Sequence, residues 1–287
     1  MIDSNLISAC EELMKKHSLS FYAAFRFLPS PRKEAVFVIY AFCRMIDDSV
    51  DEPESSPYTL NQLEESFENL ELASGHFIWP CLRWLFSSFS ISKEPFYKQI
   101  SGQKMDTTLT NYETMEELEL YCERVAGSVG EMLLPILHEQ PSSEVELAGV
   151  YLGKAMQIVN VIRDVGEDQQ RGRRYIPREW MVQYHYTQTE FDMSIVNFRF
   201  KRMITGLMNV AEDWFSKGLE NIDTYPETSA FAIKLSAGYY AAIMDAVRQN
   251  EYQVYTKRAI VSDKKKKLIL LAALQGSIQH EVQSIEA

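Results

Sequence analysis

Cysteine, glycine and proline are all scarce in this chain, and its histidines do not cluster. The four cysteines are widely spaced and form no Cys-x-x-Cys pair: they are Cys10, Cys43, Cys81 and Cys122. Neither a zinc site nor a disulfide framework is therefore expected, and this usage fits a reducing cytoplasm. With only 12 glycines and 10 prolines among 287 residues, linkers and low-complexity segments are not expected either. We predict a single domain over residues 1–287.

Basic character and long apolar runs are also missing. A formal net charge of -11 and a pI near 5.1 argue against nucleic acid as a partner, because phosphate-backbone binding needs a basic surface. No basic region followed by an apolar run indicates a signal peptide, and the run Leu268 to Leu274 is too short to cross a membrane. The run Lys264 to Lys267 either faces solvent or rests on an anionic membrane surface. We expect a cytoplasmic protein, at most peripheral at the inner face of the membrane, with no obligate protein partner.

Apolar residues recur at helical spacing along most of the chain, and strand signals are nearly absent. This pattern predicts an all-α bundle. Helices are predicted over residues 3–16, 21–28, a segment ending at 51, 59–73, 78–90, 94–108, 114–139, 143–170, 194–222, 227–250 and 262–284. Gly127 and Gly130 lie three residues apart inside one of them, where glycine costs stability. Either a neighbouring helix or a bulky apolar ligand is expected to approach that face closely.

Two of the predicted helices carry polar stripes on apolar backgrounds. In the first, Tyr40, Arg44, Asp47 and Asp51 project within roughly 60° of one another. The residues on one face of the second are Gln157, Asn160, Asp164 and Asp168. Aspartates spaced in this way also occur on solvated helix faces, where they carry no function. Two such stripes among valine, isoleucine and methionine are better explained by a shared site.

Carboxylates in apolar surroundings are costly to desolvate unless a cation or hydrogen bonds compensate them. Facing each other across a cavity, two such helices would hold Mg²⁺ through oxygen ligands, and magnesium commonly completes its shell with substrate phosphates. The apolar walls imply an apolar ligand body. A molecule with a diphosphate head and a long hydrocarbon tail satisfies both demands.

Residues next to the stripes suit the same kind of ligand. The loop over residues 169–177 contains three arginines just after Asp168, and these either bind an anionic ligand or balance Glu167 and Asp168 at the helix C-terminus. Ser18 and Ser20 either simply cap the helix that follows or form an anion site at its start.

Three motifs resemble the signature motifs of the squalene/phytoene synthase family. They are Asp47-Asp48-Ser49-Val50-Asp51, Tyr121-Cys122 with Val125-Ala126-Gly127-Ser128-Val129-Gly130, and Gln157-x-x-Asn160-x-x-Arg163-Asp164-x-x-Glu167-Asp168. The similarity runs from about His17 to the final helix. Within the family the chain is most similar to the bacterial dehydrosqualene (4,4'-diapophytoene) synthases. The closer match lies in His17-Ser18-x-Ser20-Phe21, Arg44-x-Ile46-Asp47-Asp48-Ser49 and Asp164-Val165-Gly166-Glu167-Asp168.

The resemblance implies an isoprenoid-synthase helical bundle around a central apolar cavity. It implies a Mg²⁺-dependent prenyltransferase that joins two farnesyl diphosphates head to head, through presqualene diphosphate, to dehydrosqualene for C30 carotenoid biosynthesis. The implied ligands of two or three Mg²⁺ ions are Asp47, Asp51, Asn160 and Asp164, with Asp48 and Asp168 in support. The implied catalytic residues are Arg44, Asp47, Asp51, Asp164, Asp168, Tyr121 and Tyr175. The two tyrosines would steady cations or relay protons, unless they are buried core residues.

The resemblance also implies a substrate-binding set. Its members are His17, Ser18, Leu19, Ser20, Phe21, Tyr40, Arg44, Gln157, Arg163 and Tyr240. Relatives often have a basic residue where this chain has Leu19. A basic pair near the last helix is represented by Lys257 and Arg258, and either residue could reach phosphate. Phe25 and Phe37 flank the first motif, where they either close the tunnel at fifteen carbons or belong to the ordinary core.

Several alternatives stay open. No glycine-rich nucleotide loop is visible, which favours a non-reductive product without NADPH, although some relatives bind NADPH without such a loop. Phytoene synthase and squalene synthase are the alternatives within the family. A terpene cyclase or a head-to-tail prenyl elongase would use the same cavity and Mg²⁺ chemistry but fits the second stripe less well. A non-catalytic helical assembly factor is the alternative of a different class.

Overall fold

The computed structural model describes the backbone of residues 2–286 and the side chains of residues 2–275. This part of the chain is helical and contains no strand, only one isolated bridge between Asn111 and Arg174, which confirms the predicted all-α class. In chain order the helices are α1 Ser4–His17, α2 Leu19–Phe25, α3 Arg32–Asp51, α4 Leu60–Glu68, α5 Ile78–Ser88, α6 Glu94–Thr108, α7 Met115–Cys122, α8 Ser128–Leu137, α9 Ser143–Arg163, α10 Val165–Gln170, α11 Arg178–Gln183, α12 Gln188–Asp192, α13 Phe198–Leu219, α14 Glu227–Gln249 and α15 Asp263–Glu286.

Helix α9 lies at the centre of the bundle, where it packs against α8, α13 and α14. Helix α3 packs against α1, α5, α6 and α8. Because α8 contacts both α3 and α9, the two helices with polar stripes are held on opposite sides of one space. The outer face of α3 is fixed by Phe42, whose ring lies 5.1 Å from that of Phe67 and 6.0 Å from that of Phe96. Burying this aromatic face turns the polar stripe inward.

Local sequence fixes two helices that matter for the site. A capping box between Thr114 and Glu117 begins α7, and satisfies backbone N–H groups that would otherwise lack partners. Pro95 stands in the first turn of α6, where its missing N–H costs nothing. Between α7 and α8 the helix widens into one π turn, Glu123–Gly127, a feature that is frequent at functional sites.

The glycines of α8 and α9 allow these helices to approach closely. A Cβ atom on Gly130 would overlap the carbonyl oxygen of Gly149, and one on Gly153 would overlap that of Ala126. A neighbouring helix is therefore what approaches the glycine face. Because Gly130, Gly149 and Gly153 also line the cavity described below, the close crossing shapes its wall.

Some predicted helices are divided in the structure. The helix predicted over residues 143–170 is two helices that meet at Asp164, whose backbone leaves the helical region (φ -103°, ψ 13°). The bonds from Asp164 N to Asn160 O and from Asp168 N to Asp164 O, both 2.9 Å, continue across this joint. The helix predicted over 114–139 is interrupted by the π turn. The short helices α11 and α12 were not predicted, since each spans fewer than two turns.

Within the described chain, one helix, α9, is long and apolar enough to span a membrane by length and composition; inspection of continuous apolar runs missed it. About half of that window, 56%, is buried inside the bundle, and α9 is the central packing helix. We therefore describe α9 as a core helix. Lys264, Lys265 and Lys267 are exposed at the start of α15, and their contact with a membrane stays a prediction.

Candidate active site

Two connected cavities lie between α3 and α9. The first, which we call the apolar tunnel, has a volume of about 330 Å³ and is lined mainly by α2, α3, α8, α9 and α14. The second, the polar chamber, has a volume of about 580 Å³ and is lined mainly by charged and amide side chains. Residues lining both form the junction, and they are His17, Arg44, Asp47, Val125, Gln157, Asn160, Arg163 and Arg258.

The first polar stripe faces the cavities. Tyr40 lines the apolar tunnel, Arg44 and Asp47 lie at the junction, and Asp51 lines the polar chamber. Asp48 lines neither cavity, because its carboxylate forms an ion pair with Arg44 one helical turn earlier. Asp48 therefore holds the guanidinium of Arg44 and lies apart from the other predicted metal ligands.

Asp47 is the most strongly perturbed carboxylate of the first stripe. Its Oδ1 accepts a hydrogen bond of 2.6 Å from Gln103 Nε2. Burial raises the pKa of Asp47 to about 8, and the nearby carboxylates of Asp51 and Asp48 add to this effect, although Arg44 opposes it. The ionised form of Asp47 is thus disfavoured, because the charge of Arg44 does not fully compensate for its burial.

The second polar stripe faces the same space from α9 and α10. Gln157 and Asn160 lie at the junction, while Asp164 and Asp168 line the polar chamber. Asn160 Oδ1 is buried and accepts no hydrogen bond from any described residue. Burial raises the pKa of Asp168 to about 8, and the charge of Asp164 adds to the increase. Asn160 Oδ1 therefore lacks a hydrogen-bond donor and Asp168 lacks an ion-pair partner within the described part of the chain, so this wall has two oxygen groups available to a bound cation.

Asp164 is the compensated member of the second stripe. Arg163 donates to its two oxygens at 2.8 and 2.5 Å, and Arg258 Nε lies 3.1 Å from Oδ1. Arg258 reaches it because Gly166 has no side chain: a Cβ there would overlap the carbonyl oxygen of Tyr255. Lys257 is exposed and lines neither cavity, so Arg258 is the member of the basic pair that faces the site.

The basic loop crosses the polar chamber. Arg171 Nη1 lies 3.0 Å from Asp51 Oδ2, and Arg173 Nη1 lies 2.6 Å from Asp51 Oδ1. Arg174 turns away and donates to the backbone oxygens of Tyr112 and Ile176. The alternative that the loop only balances its own helix end does not hold for Arg171 and Arg173. Both oppose the increase in the pKa of Asp168, but their ion-pair partner, Asp51, lies on the opposite wall.

Tyr121 and Tyr175 converge on a carboxylate that sequence reasoning missed. Tyr121 donates to Asp106 Oδ2 at 2.8 Å, and Tyr175 donates to Asp106 Oδ1 at 2.7 Å. The two rings stack with centroids 4.9 Å apart. All three residues are buried and line the polar chamber, so the tyrosines are core residues and site residues at once.

The missed carboxylate belongs to a third polar stripe. Gln99, Gln103 and Asp106 recur at helical spacing on α6 and are buried. The same spacing argument that revealed the other two stripes would have found them. Their lower charge concealed them, since only Asp106 of the three is ionisable. Through Gln103 and Asp106, α6 contacts both the first stripe and the tyrosine pair.

Three predicted substrate residues do not reach the cavities. Leu19 is 63% exposed, and Ser20 lines neither cavity. Phe37 is buried with its ring 6.0 Å from that of Tyr22, behind the tunnel wall. Ser18 does line the tunnel and stands at the N-cap of α2 without a side-chain capping hydrogen bond. The alternative of a plain side-chain cap therefore does not hold for Ser18, and the anion site stays a prediction. The other predicted substrate residues line the tunnel or the junction, namely His17, Phe21, Phe25, Tyr40, Arg44, Gln157, Arg163 and Tyr240.

The chamber fits a divalent cation that shares its ligands with a substrate. Among residues 2–275, no three histidine, cysteine or acidic side chains lie close enough together to form a complete metal site. The available donors are oxygens on two separate walls. The carboxylates of Asp47 and Asp168 form no ion pair, and Asn160 Oδ1 accepts no hydrogen bond from a described residue. Magnesium prefers oxygen donors and commonly keeps one or two carboxylates together with substrate phosphates.

A family model described as squalene/phytoene synthase matches residues 14–265 of this chain. The chain belongs to the squalene/phytoene synthase family. A dehydrosqualene synthase crystallised with a ligand is similar in structure, with a TM-score of 0.89 and 32% identity over 94% of this chain and 96% of that chain. Phytoene synthase 2, chloroplastic, from Zea mays is 32% identical over 91% of this chain and 67% of that protein. Phytoene synthase from Arthrospira platensis is 30% identical over 96% of this chain and 94% of that protein.

Membership of the squalene/phytoene synthase family confirms the resemblance drawn from the three motifs. It places the chain among prenyltransferase-type enzymes of isoprenoid and carotenoid biosynthesis, which use a divalent metal with diphosphate substrates. The similar proteins are named for two different products, dehydrosqualene and phytoene. The family thus defines the type of chemistry, and the length of the substrate chain is a separate question.

Proposed function

We propose that this protein condenses two farnesyl diphosphates head to head, through presqualene diphosphate, to dehydrosqualene. The observation that carries the proposal is the junction, where an apolar tunnel opens into a chamber with acidic residues on one wall, arginines between them and acidic residues on the other. An allylic diphosphate is divided in the same way, into a hydrocarbon tail and a charged head. The overall conversion balances without a reductant, because two diphosphates and two protons leave the two substrates.

The residues of the chamber have separable roles in this proposal. Arg44, Arg163 and Arg258 at the junction would bind diphosphate and stabilise the negative charge that develops as it departs. Asp47, Asp51, Asn160, Asp164 and Asp168 would hold Mg²⁺. When bound, the metal supplies Lewis-acid stabilisation of the leaving diphosphate. The apolar tunnel excludes water from the cation that remains, so the double bond of the second substrate captures it instead.

The cation formed by this coupling must lose a proton as it closes the cyclopropane of presqualene diphosphate. Departure of the second diphosphate, rearrangement and loss of another proton then give the conjugated central triene. These two losses define what the site must provide near the junction, namely polar groups that tolerate cations and accept protons. Tyr121 and Tyr175 are the uncharged groups of the polar chamber best suited to this task.

Phytoene formation from the twenty-carbon geranylgeranyl diphosphate is the second candidate. It is favoured by the two phytoene synthases that resemble this chain at 32% and 30% identity. The dehydrosqualene synthase has the same identity, 32%, and its structure is close to this one. Mass analysis of the hydrocarbon formed from each diphosphate, with and without NADPH, separates a triene of thirty carbons, its forty-carbon counterpart and a reduced squalene.

Asp47→Ala tests whether the chamber carries the chemistry. We expect the variant to lose turnover with Mg²⁺ while its far-ultraviolet circular dichroism stays that of the wild type. Near-normal activity would reject the role of Asp47. A wild-type protein that binds neither Mg²⁺ nor inorganic pyrophosphate would instead favour the non-catalytic assembly factor, and a cyclic or head-to-tail product would favour the cyclase or the elongase.

A further inference from the structure

Asp106 has no part in the metal and diphosphate roles assigned above, although it is buried at the chamber wall. It is 5% exposed and accepts one hydrogen bond on each of its oxygens, from Tyr121 at 2.8 Å and from Tyr175 at 2.7 Å. A carboxylate shared by two phenols in this way favours O–H bonds directed at it, because each tyrosine has a single hydrogen to donate and an anionic acceptor binds it more strongly than a neutral one.

This arrangement determines what the tyrosines present to a ligand. With both hydrogens directed at Asp106, the phenolic oxygens keep lone pairs for the polar chamber that they line. The hydroxyl oxygens lie 3.2 Å apart, close enough for Tyr121 to donate to Tyr175 as an alternative to Asp106, so the orientation depends on the carboxylate holding the Tyr121 hydrogen. Charge-assisted hydrogen bonds to an anionic acceptor also increase the negative charge on the donor oxygens.

The cluster differs from its surroundings in charge. Five arginines line the chamber and suit an anionic leaving group, namely Arg44, Arg163, Arg171, Arg173 and Arg258. Of these, Arg173 is the one whose charge acts on Asp106 and Tyr175. Burial raises the pKa of Asp106 to about 6, and hydrogen bonds from the tyrosines limit the increase, so the carboxylate is anionic at neutral pH. Burial and the Asp106 charge raise the pKa of Tyr121 and Tyr175. The cluster therefore contains one negative charge and two neutral phenols.

We propose that Asp106 is a positioning residue that orients the hydroxyls of Tyr121 and Tyr175 so that their oxygens stabilise the allylic cation left after diphosphate departs. The inference rests on the proposed function, since it assigns a role within that reaction. It assigns the cation to the tyrosine oxygens and the departing anion to the arginines at the junction. The separation of the two charges is then stabilised at both ends.

Asp106→Asn is the principal test, because asparagine keeps the shape of the side chain but must donate from one of its two ends. One tyrosine is then forced to reverse its hydroxyl. We expect kcat to fall by about 100-fold, the scale of removing one preorganised electrostatic group, with KM and the affinity for Mg²⁺ with pyrophosphate unchanged. We also expect a larger fraction of prenyl alcohol, which forms when water captures the cation. Glu94→Gln, an exposed neutralisation on the same helix, should leave every parameter at the wild-type value.

A mutant cycle separates positioning from general structural damage. If Asp106 acts through the phenols, Asp106→Asn should change kcat and the alcohol fraction little when Tyr121 and Tyr175 are already phenylalanine. Additive losses would overturn the proposal. A weakened affinity for Mg²⁺ with pyrophosphate would also overturn it, because that result would make Asp106 a metal ligand.

The thermal unfolding midpoints of the same variants give a second mutant cycle, and this measurement does not depend on turnover. Coupling between Asp106 and the two tyrosines is expected there, and independent effects would contradict the contact on which the inference rests. A wild-type enzyme that converts neither farnesyl nor geranylgeranyl diphosphate would refute the proposed function, and with it the cation role, while a measured coupling would still establish the positioning.

Discussion

Arg173 and Asp51 form an ion pair of 2.6 Å across the mouth of the polar chamber. Arg173 follows the second acidic stripe along the chain and Asp51 ends the first, so the ion pair joins the two walls of the chamber. Arg171 contacts the same carboxylate at 3.0 Å. A carboxylate held in this way is shielded from a cation, and the arginines are kept from a phosphate. Arrival of a metal with diphosphate must therefore exchange these partners.

Arg173→Gln should change the affinities for cation and anion in opposite directions. The affinity for Mg²⁺ alone should rise, because a positive charge next to Asp51 is removed. The affinity for pyrophosphate in the presence of Mg²⁺ should fall by roughly 10- to 100-fold, the scale of a lost charged hydrogen bond. Isothermal titration calorimetry measures both. Arg199→Gln, which removes an equal charge from the exposed ion pair with Glu190, is the control, and parallel changes in the two affinities would contradict the exchange.

Adjacent aspartates should respond oppositely to neutralisation. Asp47→Asn should stabilise the metal-free protein at pH 8 by roughly 1 kcal/mol or more, because it removes a carboxylate whose raised pKa reflects costly ionisation. Asp48→Asn should destabilise the protein by about 1–3 kcal/mol, since it removes the closer of the two ion-pair partners of Arg44 and leaves only Glu52 at 3.9 Å. Urea unfolding of both variants without metal provides the comparison. Equal effects of the two substitutions would refute the distinction drawn here between a site carboxylate and a supporting one.

Metal binding should release protons near neutral pH. The pKa of Asp47 and of Asp168 is about 8 in the metal-free protein, well above the value of about 3.9 in an unfolded chain. Between these values the folded protein binds more protons, so its unfolding free energy falls as pH rises from about 4 to about 8. A metal requires the ionised form, so its affinity rises over the upper part of this range.

Calorimetry of Mg²⁺ with pyrophosphate in buffers of different ionisation enthalpy counts the released protons. We expect proton release at pH 7 in the wild type and less in Asp47→Asn. Buffer-independent heats, or a metal-free thermal midpoint that climbs between pH 5 and pH 8, would disagree with this assignment.

At the crossing of α8 and α9, alanine should destabilise the protein at one glycine position but not at another. Gly130→Ala should destabilise the protein by about 1–3 kcal/mol, because its Cβ would overlap a backbone oxygen that cannot move aside. Gly149→Ala faces the same neighbour at an ordinary 3.7 Å and should be neutral or stabilising, since alanine favours helix by up to about 1 kcal/mol. Thermal melting of the two variants checks this. Destabilisation of both variants would indicate that the crossing needs flexible glycine at each position, and would contradict a steric limit at Gly130 alone.

Chain length should depend on Phe25 but not on Phe37. Phe25 lines the apolar tunnel whereas Phe37 lies behind its wall, so Phe25→Ala should let the enzyme use a twenty-carbon diphosphate and Phe37→Ala should not. Both substitutions delete a buried ring and should cost about 3–5 kcal/mol of stability, which makes them matched controls. Gas chromatography of products from mixed substrates gives the answer. Failure of Phe25→Ala to extend the product would leave the length limit to other tunnel residues.

Sequence reasoning located both acidic stripes because charge in an apolar helix is conspicuous. It missed Gln99, Gln103 and Asp106 because a stripe with two amides does not stand out by charge, although its spacing is equally regular. It also assigned Phe37 to the tunnel from its position beside the first motif. Which of two buried phenylalanines faces a cavity depends on how α2 packs on α3, and adjacent positions along the chain do not determine that packing.

Long-range partners were the other limit. The arginines after Asp168 and the basic pair near α15 were found as charges, but their partners lie on other elements. Arg173 pairs with Asp51 across the chamber, while Arg258 is brought to Asp164 by the contact that Gly166 permits. Such pairings follow from packing between distant segments, which periodicity along one helix does not describe.

The π turn at Glu123–Gly127 contains one more residue than a regular helical turn would. Everything after it on α8 is thereby rotated by about 100° relative to α7. If the same sequence formed a regular α-helix, each residue of α8 would move one step along the helix, so Val129, Leu133 and Ile136 would project where Gly130, Leu134 and Leu137 now line the tunnel. The surplus residue thus brings a glycine, and not a valine, to the point where α8 crosses Gly149 and a Cβ has no room.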